Sequence, residues 1–275
     1  MKNQGFINPT AVISSLSEVD PTIIIADNVV IERNCKLYKN ISIRAGTIIY
    51  PGTIILNDCI IGKNCTIGPN VVIYEFSEIG DNCVIETGTN IKGYSKISNN
   101  VTIGNSCKIK QHCTIDANCS IGFGSMIYDE FTCASNVRVA PCTSIGYNVS
   151  IGENTVLGIK KFVSKTSIIQ IGSGTKIGAN CNIAQGVMTD VHCIIEDKVI
   201  IKENCNLGEE VTLGASTIVH KNTFISHGVK TGNDCIILAR VKIGKKCTFG
   251  NNVIINDDVT VPDNTEIANW GMFQY

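Results

Sequence analysis

Four histidines stand in the chain: His112, His192, His220 and His227. Imidazole titrates near neutrality, so it can take a proton from an attacking group and return it to a leaving group. His227 lies 18 residues after Glu209 and 18 before Lys245, and His192 lies 18 before Glu210. If the chain returns to the same place every 18 residues, one place gathers His192, Glu209, Glu210, His227, Lys245 and Lys246. A carboxylate there would orient the imidazole and make it a better base. His112 would stand between Tyr94 and Glu130, and His220 between Lys202 and Leu238 with no acid in its column. His227 therefore ranks first, His192 and His112 next, His220 last. Each histidine alone also reads as an ordinary surface residue.

The element that must position these residues is six residues long. Stepping by six from Ile7 to Ile169 meets Ile, Leu or Val at 27 of 28 positions, Cys133 being the exception. A second run starts two residues out of phase at Ile171 and reaches Ile267, with 14 of 17 positions aliphatic. We call the aliphatic position slot one. Slot two is often Gly, as at Gly62 and Gly68, and slot four is often Asn, Gly or Asp, which tolerate the left-handed backbone of a tight corner. Slot five is small: Ser, Thr, Val or Cys. Slot five and the next slot one are two residues apart, so both face the same side of a short strand. The unit is a strand, a corner and another strand.

The 14 cysteines follow this lattice, and 12 of them occupy slot five. Only Cys133 and Cys142 do not. Because slot five also accepts Thr53, Ser77 and Val71, the thiols read as compact buried residues. A metal site would need His and Cys at ligand spacing, so no metal is expected. The charge is nearly balanced, 23 basic against 24 acidic residues, which argues against a general nucleic-acid binder. The apolar runs fall far short of the ~20 residues of a membrane span. The first residues, MKNQGFINPT, lack the apolar core of a signal peptide. A cytoplasmic protein with reduced thiols is the expectation.

The pattern, roughly [LIV]-[GAED]-x-x-[STAVC]-x, resembles the hexapeptide-repeat superfamily over nearly the whole chain. The resemblance implies an all-β fold, a left-handed parallel β-helix in which three hexads make one coil of a triangular prism. The 45 hexads would give about 15 coils in a single domain spanning residues 1–275. The segment ISHGVKTGNDCIILARVKIG, Ile225–Gly244, is similar to the catalytic coil of the hexapeptide acyltransferases, particularly the UDP-N-acetylglucosamine O-acyltransferases. VTVPDNTEIAN and IIYPGTIILNDCIIGKNCTIGPN resemble segments of sugar-nucleotide acetyltransferases. The resemblance places the general base on His227, with Gly228 where the family usually has Asp or Asn, so that Glu209 would serve as the orienting acid. His192 and Glu210 would then meet the substrate. Lys242, Lys245 and Lys246 would hold the donor's phosphates, and backbone N–H groups near Gly228 or Gly244 would face the oxyanion. It further implies acetyl-CoA or an acyl carrier protein as donor, a hydroxyl or amine of a sugar or sugar nucleotide as acceptor, and a homotrimer.

Two places depart from the lattice. Between about 158 and 173 the phase shifts, which predicts a bulge or short loop carrying Lys160, Lys161 and Lys165. At 268–275 the segment WGMFQY breaks the pattern and is expected to cap the open apolar end with Trp270, Met272 and Phe273. The near absence of other insertions keeps a second reading open, a non-catalytic scaffold or regulatory subunit. A γ-class carbonic anhydrase would need closely spaced zinc histidines, a spacing that His220 and His227 lack.

Overall fold

The computed structural model describes residues 5–158 and 168–274. These form strands of two residues each joined by short corners, with no helix among the described residues. Contacts gather the chain into two compact units, Met1–Asn136 and Val137–Tyr275.

In the first unit the strands stack into three parallel sheets with a register of 18 residues. Ile61 lies between Ile43 and Ile79, Ile67 between Ile49 and Ile85, and Ile73 between Ile55 and Ile91. The second unit is built alike: Ile201 lies between Ile183 and Val219, and Ile225 between Leu207 and Ile243. Three hexads therefore complete one coil, and each unit is a left-handed parallel β-helix of the expected class.

The hexad grammar explains the coil. Slots one and five point inward and are buried, as at Ile61 with Cys59 and Ile237 with Cys235. Slot six, the first strand residue, points outward, as at Lys36 and Lys242. From Asn28 (φ 55°) to Trp270 (φ 63°), slot four of the described hexads holds positive φ. Even the corners are laddered, because the slot-four N–H donates to the slot-three carbonyl one coil earlier, as from Asn64 to Ala45 at 2.9 Å.

Slot five has a further role. Its side chain donates to the slot-two carbonyl of the next coil: Thr47 Oγ1 to Gly62 at 2.7 Å, Cys59 Sγ to Tyr74 at 3.0 Å and Cys65 Sγ to Gly80 at 3.0 Å. Cys, Thr and Ser are thus interchangeable as small buried donors as well as in size. All 14 cysteines are free thiols, and all except Cys142 are buried.

Two expectations change. The strand Val156–Leu157 stacks under Asn182–Ile183, and Ser144–Ile145 under Gln170–Ile171, a register of 26 instead of 18. This coil is eight residues longer than its neighbours. Ile169 is buried and accepts from Ser144 N at 3.0 Å, the bond of a slot-five carbonyl, so its match to the first run was coincidental. Lys160, Lys161 and Lys165 lie outside the described residues. At the other departure the lattice continues. Met272 and Phe273 pair with Ile254 and Ile255, which puts Phe273 in slot one. Trp270 occupies the slot-four corner and stands 78% exposed, so residues 268–273 continue the lattice as a further hexad.

Candidate functional site

His227 sits in a corner of the second unit, after the strand Phe224–Ile225. Its column, slot three, runs Val191, Glu209, His227, Lys245 and Asp263 through successive coils; slot four runs His192, Glu210, Gly228 and Lys246. The strands that aim these corners are held by the pairs Asn206↔Phe224 and Phe224↔Lys242.

Both glutamates turn to the one imidazole. Glu209 Oε2 lies 3.8 Å from His227 Nδ1, and Glu210 Oε2 lies 4.0 Å from Nε2. Nδ1 is buried and has no hydrogen-bond partner. An unpaired buried polar atom costs about 1–3 kcal/mol, so a native one calls for an explanation, a catalytic role being one. The imidazole edge itself is 38% exposed, open to an incoming group.

Gly228 (φ +71°) leaves slot four empty between Glu210 and Lys246. A methyl built there would meet Lys246 Cγ at 3.5 Å, ordinary contact, so the gap has room. Lys242 is exposed on the strand face beside Phe224, itself 46% exposed. Phe224 went unnoticed in the sequence because slot six carries no fixed residue type; its place three residues before His227 was the available signal.

Other expected pieces fall differently. The Gly228 N–H donates to Glu209 O at 2.9 Å, and the Gly244 N–H to Val261 O at 2.8 Å, so neither amide is free for an oxyanion. Slot-three amides are satisfied where the next coil supplies an Asp or Asn, as when Asp263 accepts from Lys245 N at 2.7 Å. Lys245 supplies no acceptor to His227, and the His227 N–H carries no hydrogen bond to a described residue. His192 does not pair with Glu210. Its imidazole leans over Gly174, where an added methyl would collide with Nδ1. His112 is stacked on Tyr94 in the first unit, ring centroids 5.1 Å apart. Among the described residues no group of three or more His, Cys, Asp or Glu is placed to hold a metal. No helix there is long and apolar enough to cross a membrane.

Comparison with known proteins agrees with the repeat. Residues 1–95 match the family described as the GMPPB C-terminal domain, and residues 94–129 match the bacterial transferase hexapeptide family of six repeats. Over residues 94–129 the chain carries hexapeptide repeats of that family, and the same six-residue unit builds both units of the structure. No curated protein matches it. Similar solved structures include PerB from Caulobacter crescentus in complex with CoA and GDP-perosamine, at 17% identity over 40% of this chain and 52% of that one, TM-score 0.30. UDP-N-acetylglucosamine O-acyltransferase (LpxA) from Moraxella catarrhalis is 19% identical over 76% and 68%, TM-score 0.26. The acetyltransferase domain of PglB from Neisseria gonorrhoeae, in complex with acetyl coenzyme A, is 19% identical over 42% and 56%, TM-score 0.28. The chain spans about half the length of PerB and of the PglB domain.

Proposed function

We propose that the His227 corner is the acid–base centre of an acyltransferase. The enzyme moves an acetyl or other acyl group from acetyl-CoA or an acyl carrier protein to a hydroxyl or amine of a sugar or sugar nucleotide. The observation that carries this reading is the buried, unpartnered Nδ1 of His227 beside Glu209. With Glu209 accepting from Nδ1–H, Nε2 is left as the free base. The acceptor gives its proton to Nε2 as its oxygen or nitrogen bonds to the thioester carbonyl carbon. The tetrahedral oxyanion collapses, the C–S bond breaks, and the imidazolium returns the proton to the leaving thiolate. The free N–H of His227 is the amide available to the oxyanion.

Glu210 now faces Nε2 and must swing aside for the acceptor, so together with His192 it lines the acceptor side. Lys242, Lys245 and Lys246 supply cations for the donor's phosphates. Gly228 and Gly244 contribute by having no side chain, not through their amides. The 14 free thiols suit a reducing, cytoplasmic setting. A homotrimer completes the reading, tested by light scattering on the pure protein; a monomer at micromolar concentration overturns that assembly. The function is tested by assaying His227→Ala with acetyl-CoA and a panel of nucleotide-linked hydroxy- and amino-sugars. Full activity in the folded variant overturns the role of His227. No turnover on any acceptor, with no binding of acyl-CoA, leaves the non-catalytic scaffold as the better account.

A further inference from the structure

The first unit carries a second concentration of unusual residues, at the corners that follow the sheet containing Val72–Ile73, Asn90–Ile91 and Lys108–Ile109. Slot four there holds Phe76, Tyr94 and His112 on three successive coils, at φ 57°, 59° and 57°. Bulky residues are rare in left-handed backbone, and most neighbouring corners use Asn, Asp or Gly. The three rings stack at 5.0 and 5.1 Å, each pair 16° from parallel. Phe76 and Tyr94 are about half exposed, so the ring edges form an outward strip.

Two residues before each ring stands slot two, occupied by Tyr74, Lys92 and Lys110. The pair Asn90↔Lys108 sets the register, so Lys92 and Lys110 stack on adjacent coils with Lys108 on the strand beside them. Like charges directly opposite one another destabilise a sheet. Two other strand lysines of this unit pair with an acid one coil away, Lys36 with Glu18 at 3.3 Å and Lys96 with Glu78 at 4.0 Å. Lys108 and Lys110 form no ion pair with a described residue, and Lys92 Nζ rests 3.5 Å from the centre of the Tyr74 ring. These three lysines, with Asn90 and Ile109, line a cavity of about 220 Å³. The strand face from Ile54 to Met126 carries no carboxylate at slots six and two. The nearby acids Glu75, Asp129 and Glu130 stand around the corner, and Asp129 is occupied by the Gln111 N–H at 2.8 Å.

We infer that this corner binds a soluble organic phosphate, its phosphoryl oxygens on Lys92, Lys108 and Lys110 and a planar ring against the edges of Tyr94 and His112. A diphosphate relieves stacked ammonium charges that no carboxylate of a described residue pairs, Lys92 resting on the Tyr74 ring alone. The exposed ring edges give the ligand's ring an apolar seat two residues along the same corner. This site rests on residues separate from those of the proposed acyl transfer.

Calorimetric titration with inorganic pyrophosphate and with ADP tests it. Both are expected to bind, ADP roughly fivefold or more tightly because of the ring contact. The double variant Lys108→Glu/Lys110→Glu should weaken both by about tenfold or more, since each charge-assisted hydrogen bond is worth that much. The milder Lys108→Gln/Lys110→Gln should do so in part, guarding against a folding defect. Tyr94→Ala should bring ADP down to the level of pyrophosphate. His227→Ala should bind as the unaltered protein does, which separates this site from the acyl-transfer reading. Absence of heat with either probe, or binding unchanged in the charge-reversed variant, overturns the inference, and ADP binding no tighter than pyrophosphate overturns the ring seat.

Discussion

Glu209 and His227 occupy the same slot on adjacent coils, and Glu209 Oε2 stands 3.8 Å from a buried Nδ1 that nothing else satisfies. The separation exceeds a hydrogen bond by less than an ångström, and catalytic bonds commonly tighten only when substrate is present. Loss of a general base costs ~10²–10⁴-fold in rate, whereas an exposed corner substitution costs less than about 0.5 kcal/mol. On the acyl-transfer proposal, His227→Ala is therefore expected to slow acyl transfer by ~10²–10⁴-fold while leaving the melting temperature in place. Glu209→Gln should lose less, since it orients without touching the reacting atoms. His220→Ala should match the unaltered protein. An equal loss in all three, measured as kcat/KM, would contradict the assignment.

The empty slot at Gly228 gives a second test. Asn tolerates left-handed backbone and fills this slot in many other corners, as at Asn222 and Asn252. Gly228→Asn should thus fold with nearly unchanged stability and place an amide in the space between Glu210 and Lys246. A β-branched residue meets the left-handed penalty of roughly 1–2 kcal/mol, so Gly228→Val should lower the melting temperature as well. The expected signature is activity lost in both variants and stability lost in one. Full activity in Gly228→Asn would show that the gap holds no substrate.

The hexad was legible because slots one and five are set by burial and slot four by backbone sterics, both of which act on residue type. The stacking of Glu209 on His227 followed from the period alone. Side-chain direction did not. Column position could not tell that Glu210 turns to His227 Nε2 while His192 leans over Gly174, because rotamers answer to neighbours in three dimensions. Nor did residue type show that the Gly228 and Gly244 amides are consumed by the ladder. The coil after Leu157 deceived the period for a simpler reason. An eight-residue insertion, two more than a hexad, returns an isoleucine to the old phase at Ile169 by chance. WGMFQY read as a break because Trp270 is foreign to slot four, yet the backbone there keeps φ 63° like its neighbours.

Most of the buried thiols with a resolved shift titrate late, while the hydrogen bond with Cys83 holds Cys65 below the usual thiol range. Burial pushes Cys59, Cys193 and Cys205 up to about 11 and Cys113 up to about 12. Thiolate is the reactive form, and every cysteine except Cys142 is buried out of a reagent's reach, so at pH 8 a thiol reagent should modify only Cys142 in the native protein, and all 14 cysteines after denaturation. Labelling of Cys59 or Cys113 in the folded state would refute their inward placement. The same shifts bear on stability. A thiol whose folded pKa is raised favours the native state below its unfolded value near 9, and this contribution fades as pH climbs through the folded pKa. Stability measured by urea titration should consequently fall steadily between about pH 9 and 11, and a flat profile there would count against the buried thiols.

The last prediction concerns the proposal that residues 1–275 fold as one domain. The two units have the same ladder, so a core deletion in either should cost a similar amount. Ile61 in the first and Ile237 in the second are each fully buried. Replacing a buried Ile by Ala removes about 2–5 kcal/mol, the spread depending on how far the cavity collapses. If the chain is one cooperative domain, unfolding in denaturant is a single transition, and Ile61→Ala and Ile237→Ala both move its midpoint downward without splitting it. Solenoids lose cooperativity when nearest-neighbour coupling weakens at one place, and the lengthened coil after Leu157 is where the repeat departs most from its neighbours. Two transitions, with each substitution shifting only one of them, would show instead that the chain unfolds in two parts.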